Sequence, residues 1–378
     1  MILHHGIVYR DIGLTAISPD YESTSRMMDV AKNFNIPVNL VDPLNSDSPG
    51  LNPFVFEDPT KIAIAISTIL KGMYLNPPED YEKEGNLSIA SQAIENLSTL
   101  LKVMYPQINK GRLPNLEDMI KMLNNFELVE KMCKILETNA ELAEKYQMQL
   151  DYFKKNFYQD GVGRADTQKL TYGTVSQFES LLRIEGVKKI LCNRTNNINF
   201  DEALQNGDVI LVCTRRGDLG ATAHKAFGLF YLLLMQYSVL RRPGNESSRI
   251  PHFLYVDEFS PFINDTTTSI FTLYRKYRVG LIISVQNLDQ LGNTKASKDH
   301  RQTILSNCAT KMIFGNNSPE DNDWWALELG EKREWTFSNT YNTKSTDKEE
   351  AGYDPKYGNI KWSWVKRFAA RKSTIFRI

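Results

Sequence analysis

Residues 253–259 read FLYVDEF. Four apolar or aromatic residues run straight into two adjacent carboxylates, Asp257 and Glu258. The run has the length and composition of a buried strand. Its end is therefore acidic, and two readings of that end are open. It is a strand terminus without chemistry, or it is a place where a metal ion and a water molecule are handled.

The second reading has a specific form. In P-loop ATPases an acid at a strand end helps hold Mg²⁺ between the β- and γ-phosphates, and a second acid beside it orients or deprotonates the attacking water. The neighbouring segments decide whether the surroundings suit such a site. GDVILVCT (207–214), VGLIISVQ (279–286) and TKMIFG (310–315) also read as strands. KAFGLFYLLLMQYSVLRR (225–242) reads as a helix. Its apolar run from Ala226 stops at Gln236, which suits a buried helix and is too short to cross a bilayer. At the front, GLTAI (13–17) and PVNLV (37–41) enclose the helical YESTSRMMDVAKNF. The turn-rich DPLNSDSPGLNPF then leads into PTKIAIAISTIL, a helix with proline in its first turn. This alternation predicts an α/β fold with a parallel sheet.

Strand-like runs vanish between about 85 and 185. NLSIASQAIENLSTLLKVMY, NLEDMIKMLNNFELVEKMCKILE and NAELAEKYQMQLDYFKKNFY all carry helical spacing. The expected organisation is an all-helical domain, 85–185, inserted between two parts of one α/β domain, 1–84 and 186–335, with a tail at 336–378. The last eighteen residues hold six Lys or Arg and no acid, interleaved with Trp362, Trp364, Phe368 and Phe376. That pattern suits contact with a polyanion, the aromatics stacking on bases while the cations neutralise phosphate. A solubilising tail and a membrane-surface helix are the other readings.

Composition narrows the classes. The 378-residue chain is 42% hydrophobic and 24% charged, with zero net charge, so it presents no global field to nucleic acid. Its four cysteines contain no CxxC pair and its five histidines are scattered. A structural zinc site is not expected, and a reducing compartment fits. His4 and His5 read as surface residues at a terminus.

A parallel sheet gathers its ligands at the carboxyl ends of its strands. Besides Asp257 and Glu258, Gln286 stands at such an end, as a sensor of γ-phosphate and lytic water or as a plain strand cap. CTRRGDLG (213–220) follows a third strand. LYRKYRVG (273–280) carries Arg275, Lys276 and Arg278, which are surface charge or arginines that reach a neighbouring subunit's nucleotide. Asn307, Thr310 and Lys311 are candidate phosphate or DNA-backbone groups. No GxxxxGK[ST] phosphate cradle occurs; GNTKASK (292–298) and GDLGATAHK (217–225) have the wrong spacing.

In this order the segments resemble the coupling-protein ATPases of conjugation and type IV secretion, the VirD4/TraG/TraD group, and within it the proteins of Gram-positive conjugative elements. The likeness is carried by GLTAISPDYES with IPVNLVDPLNSDSPGLNPF, by FDEALQNGDVILVCTRRGDLG, by RIPHFLYVDEFSPFI, by YRKYRVGLIISVQNLDQL and by ILSNCATKMIFGNNSPED. It runs from about residue 11 to about 335.

The resemblance implies a RecA-like P-loop NTPase motor domain, incomplete at its N-terminus, with an inserted all-α domain. By position Asp257 and Glu258 match the Walker B acids, Asp257 serving Mg²⁺ and Glu258 acting as catalytic residue. Gln286 matches the sensor glutamine, and Arg275 and Arg278 lie where the family places arginines near the subunit boundary. ATP and Mg²⁺ are the implied cofactors, on condition that a Walker A segment is supplied. The implied partners are single-stranded DNA or a relaxase–DNA adduct, components of a secretion channel, and further copies in a hexameric ring. The full-length form is expected at the cytoplasmic face of the cell membrane and this chain alone in the cytoplasm.

Two departures qualify the likeness. SPDYE (18–22) stands where relatives often read DPKGD. Relatives also carry membrane helices and a Walker A loop ahead of the strand matching GLTAI, so the chain reads as a C-terminal part, and its sheet is expected to lack a central strand and expose two unpaired edges. The resemblance therefore does not by itself make the chain an ATPase. A non-catalytic DNA- or protein-binding module with the same fold is the competing reading.

Overall fold

A computed structural model describes residues 12–73, 81–158, 178–292, 298–315, 317–339 and 360–368, with single positions between 167 and 176. It forms two compact units. One holds the residues up to Gln286 together with Leu291–Asn307, and the other holds Asn287–Gln290 together with the residues from Cys308 onward.

The first unit is built on the expected parallel sheet. Its strands are β1 (Gly13–Ser18), β2 (Val38–Val41), β3 (Val209–Cys213), β4 (His252–Val256) and β5 (Val279–Ile283), in the order β2-β3-β1-β4-β5. Every pairing is parallel. β1 lies in the middle of these five strands, hydrogen-bonded to β3 on one side and β4 on the other. Each of its six residues is buried, which explains the unbroken GLTAIS run. Gly13 is required by close approach, since a Cβ there would lie 2.3 Å from Nδ1 of His252.

Helices cover both faces, and their sequences say why they start where they do. Tyr21–Asn33 begins at Asp20, whose carboxylate accepts the Ser23 N–H at 2.7 Å, a helix N-cap. The SPDYE sequence thus starts a helix. Arg216–Leu240 is buried on all sides from Ala223 to Val239 except Tyr237, as its apolar composition predicts. Gly220 breaks its first turn with a non-helical conformation.

No strand occurs among the described residues from 81 to 191. The helices Tyr81–Ile108, Leu116–Asn124, Phe126–Glu137, Ala140–Lys145 and Gln147–Phe153 follow one another there. Leu116–Asn124 starts with a reciprocal capping box between Asn115 and Asp118. The helical segment shares its compact unit with the sheet. Asn52 donates to the Pro114 carbonyl at 2.9 Å, Lys102 to that of Phe54 at 2.8 Å, and Arg194 pairs with Asp118 at 2.6 Å.

At the amino ends of the strands, three arginines hold the chain by its carbonyls. Arg242 donates to Leu204, Ile250 and Tyr277, Arg249 to Pro243, Arg242, Gly244 and Lys276, and Arg278 to Glu246, Ser247 and Arg249. Among the described residues, no helix is long and apolar enough to cross a membrane.

In the second unit, Ser318 caps the helix Pro319–Leu329, and the Leu288 N–H donates to Asp321. TKMIFG, expected as a strand, is not one: it has no β partner, and Met312 and Phe314 stand 70% and 75% exposed. An apolar run becomes a strand only where another edge pairs with it. β6 (Glu331–Asn339) and β7 (Ile360–Phe368) form an antiparallel ribbon, so the tail read as starting at 336 enters β6 five residues earlier. His4, His5 and Phe376 lie outside the described residues.

Candidate functional site

The chemistry-bearing residues meet at the carboxyl ends of β1, β3 and β4. Beyond Val256 the pairing continues for a few residues: the Asp257 N–H donates to Ile17 O at 2.9 Å and the Phe259 N–H to Ser284 O at 3.0 Å. Asp257 is therefore fixed by its backbone. Its carboxylate accepts the Ser284 hydroxyl and, at 3.1 Å, the Glu258 N–H, which also reaches Ser284 Oγ at 3.1 Å. The Asp257 charge also reaches Tyr255, whose phenol is pushed above its usual range chiefly by burial and secondarily by that carboxylate.

Glu258 occupies left-handed backbone, φ 47°. This is a costly conformation for a residue with a Cβ. It turns the chain so that Phe259 and Phe262 enter the core while the Glu258 carboxylate meets Arg216 in an ion pair.

The loop after β3 supplies that arginine. Thr214 donates its N–H to Ser18 O at 2.9 Å and its hydroxyl to the same oxygen at 3.1 Å. Its Oγ1 also lies 2.7 Å from Nδ1 of His224. Arg215, in left-handed backbone at φ 52°, gives two parallel hydrogen bonds to Asp42, Nε at 3.0 Å and Nη2 at 2.8 Å. Its guanidinium lies over the Tyr21 ring, 4.1 Å from the centroid. The hydrogen bonds it donates to Asp42 push its pKa further upward, so this charge is permanent. His224 is the reverse case. Burial, with Arg216 adding to it, lowers its pKa to about 4, and the ring is neutral at physiological pH.

Of the residues singled out from sequence, Asp257 and Glu258 are brought together. Gln286 is exposed and lies two residues past Ser284, on the neighbouring strand's extension. Arg275 and Arg278 are exposed and precede β5, so they stand at the amino end of the sheet, away from Asp257 of the same chain. Asn307 donates to Thr303 O and Lys311 pairs with Glu328. Sequence reading missed Ser284, signalled only by a hydroxyl directly after VGLII, and it missed the Arg215–Asp42 pair.

The donor set at Asp257 is all oxygen. No group of three or more His, Cys, Asp or Glu gathers among the described residues to cage a metal ion. One carboxylate beside a hydroxyl still fits Mg²⁺, which takes one or two carboxylates and fills its remaining positions with water and phosphate oxygens.

A family model described as the TraM recognition site of TraD and TraG matches residues 251–359, the stretch that opens with β4 and these acids. Over these residues the chain is similar to the TraD and TraG coupling proteins. Among solved structures, the chain is similar to the bacterial conjugative coupling protein TrwBdeltaN70 in an unbound form. The TM-score is 0.58 and the identity 12%, over 96% of this chain and 78% of that one. It is also similar to the plasmid coupling protein TrwB in complex with ADP and Mg²⁺, TM-score 0.54 and identity 12%, over 86% and 76% of the two chains. A TrwB complex with the GTP analogue GDPNP gives TM-score 0.54 and identity 11%, over 87% and 76%. The chain thus shares the RecA-like α/β fold of these coupling proteins. Among curated protein sequences none matches it.

Proposed function

We propose that this chain is part of an ATPase that moves single-stranded DNA, or a relaxase–DNA adduct, toward a type IV secretion channel, working in a hexameric ring at the cytoplasmic face of the membrane. The observation that carries this reading is the Asp257–Ser284–Glu258 cluster at the carboxyl ends of adjacent strands. TrwB has been seen with ADP and Mg²⁺, and the shared fold supports ATP and Mg²⁺ as cofactors here. Bound Mg²⁺ supplies charge neutralisation at the transferring phosphoryl group.

The chain's own residues have separate tasks. Ser284 fixes one oxygen of Asp257 and leaves the carboxylate aimed beyond the strand end. Glu258 accepts the proton of the attacking water, and Arg216 holds its carboxylate until then. Gln286 orients the water or senses the γ-phosphate. Arg275 and Arg278, at the far end of the sheet, would serve a neighbouring subunit's nucleotide.

The chain carries no GxxxxGK[ST], which favours one other reading, a binding module without hydrolysis. The experiment that separates the two supplies a GxxxxGK[ST]-bearing segment, fused or as a second polypeptide, and measures nucleotide binding and phosphate release. Under the ATPase reading, Asp257→Asn weakens Mg²⁺-dependent binding, while Glu258→Gln binds ATP normally and releases no phosphate. Equal turnover by Glu258→Gln overturns the assignment of the base. No ATP binding by the supplied wild type overturns the ATPase reading.

A further inference from the structure

The sheet has a switch point between β1 and β4. The chain leaving β1 passes behind β3 to reach β2, and the chain leaving β4 turns the other way to β5. Adjacent strands whose connections part in this manner leave a crevice outside their carboxyl ends, where open α/β sheets take their ligands. Ser18 ends β1, and Asp257 and Glu258 follow β4.

One guanidinium spans this crevice. Arg216 comes from the loop after β3 and pairs with Glu258 beyond β4, so it crosses the end of β1. The loop is set against that end by two backbone bonds, Thr214 N–H to Ser18 O and Arg216 N–H to Pro19 O, each at 2.9 Å. The preceding Arg215 is committed elsewhere, to Asp42 and, at 3.4 Å, to Asp218. Among the described residues Glu258 is the hydrogen-bond partner of the Arg216 side chain, about half of which is exposed.

This pair is easily exchanged. An exposed ion pair is worth little. Left-handed backbone stands at both of its ends, Arg215 at φ 52° and Glu258 at φ 47°, and strain of this kind collects at ligand clamps and switches. Asp257 and Glu258 set two carboxylates against the one guanidinium, while Asp20 is taken by the cap of its own helix. An oxyanion therefore enters together with a cation on Asp257. A phosphoryl group then meets the planar fork of arginine with two parallel hydrogen bonds. While Arg216 holds Glu258, the carboxylate oxygen that it meets is closed to water. Once Arg216 turns to phosphoryl oxygens, that oxygen is open.

We infer that the β1–β4 crevice is an oxyanion site in which Arg216 exchanges Glu258 for a phosphoryl group. The inference rests on Glu258 as the base of the proposed function and names what releases it, the arriving phosphate.

The test needs no hydrolysis. Tripolyphosphate, the tail of a nucleoside triphosphate, and orthophosphate are titrated separately into the whole chain by isothermal titration calorimetry, with Mg²⁺ in excess in cell and syringe. R216Q weakens binding by about tenfold or more, the loss of charge-assisted hydrogen bonds. E258Q removes the competing acceptor and tightens binding by up to about fivefold, the worth of an exposed ion pair. Loss of folding cannot produce that gain. In the R216Q background, E258Q gives none. Tighter binding of tripolyphosphate assigns the crevice to the nucleotide tail, and orthophosphate bound at least as tightly assigns it to the released product; either supports the site. An equal gain from E258Q with Arg216 present or replaced means that charge alone is felt, and it overturns the exchange. Unchanged affinity in R216Q, or no binding of either anion by any form, overturns the site. The ATPase reading is decided separately, by nucleotide binding with the supplied GxxxxGK[ST] segment.

Discussion

Arg215 and Asp42 are 173 residues apart and share two parallel hydrogen bonds across the carboxyl ends of β2 and β3. The next residue, Arg216, reaches in the other direction, over the end of β1, to Glu258 beyond β4. Adjacent arginines on one loop therefore hold acids on both sides of the central strand.

The two pairs differ in burial, and their removal differs accordingly. The Arg215 and Asp42 side chains are 16% and 2% exposed, whereas those of Arg216 and Glu258 are 49% and 31% exposed. Arg215→Gln strands a buried carboxylate and lowers the unfolding free energy by about 3–5 kcal/mol. Arg216→Gln costs about 0–1 kcal/mol. Urea denaturation followed by far-UV circular dichroism checks both. Equal midpoints for the two variants would refute the distinction.

Glu258 stands in left-handed backbone, φ 47°, which costs energy for a residue with a Cβ. Asn tolerates left-handed backbone better than Glu. Glu258→Asn is therefore expected to match or exceed the wild type in stability, by up to about 1 kcal/mol, while losing the carboxylate proposed as base. A midpoint several degrees lower would mean that the carboxylate itself supports the fold.

Acid should loosen the fold through two buried rings. Burial lowers the pKa of His224 to about 4 and that of His252 to about 3, with Arg216 and Arg242 adding to the respective effects. Both groups take up a proton in the unfolded chain near pH 6.5 and resist it when folded. Their contribution is complete above that pH and is lost as pH falls toward 4 and 3. At pH 5 each costs about 2 kcal/mol relative to pH 8. His252→Gln should flatten the dependence of unfolding free energy on pH between 7 and 5. An unchanged slope would show that carboxylates dominate it.

Asp20→Ala removes the acceptor of the Ser23 N–H and is expected to cost about 1 kcal/mol. Asp20→Ser should restore most of it. Thermal denaturation of the three forms measures both steps, and equal midpoints would show that the cap contributes nothing.

Local chemistry was legible in the sequence and long-range chemistry was not. The strand FLYV and its terminal acids are written in seven consecutive residues, so the parallel sheet and the position of Asp257 and Glu258 at a strand's carboxyl end could be read directly. Asp42 carries no sign of its partner, because the contact is made only when the ends of β2 and β3 are brought together. TKMIFG has the right composition for a strand, yet strand formation is a property of two segments. Arg278 illustrates strand polarity: it comes before its strand, and in a parallel sheet that alone puts it at the end opposite Asp257.

β1 is synthesised well before either of the strands that enclose it. Leu14 pairs with Val209 on one side and Phe253 on the other, so neither neighbour exists until some two hundred residues more have been made. On the ribosome the described helices between 81 and 191, rich in short-range contacts, have the means to organise first, and the sheet must wait. During that interval GLTAIS is an unpaired apolar segment. Its exposure time is set by translation rate, which makes codon usage between residues 18 and 256 a lever on the yield of folded protein.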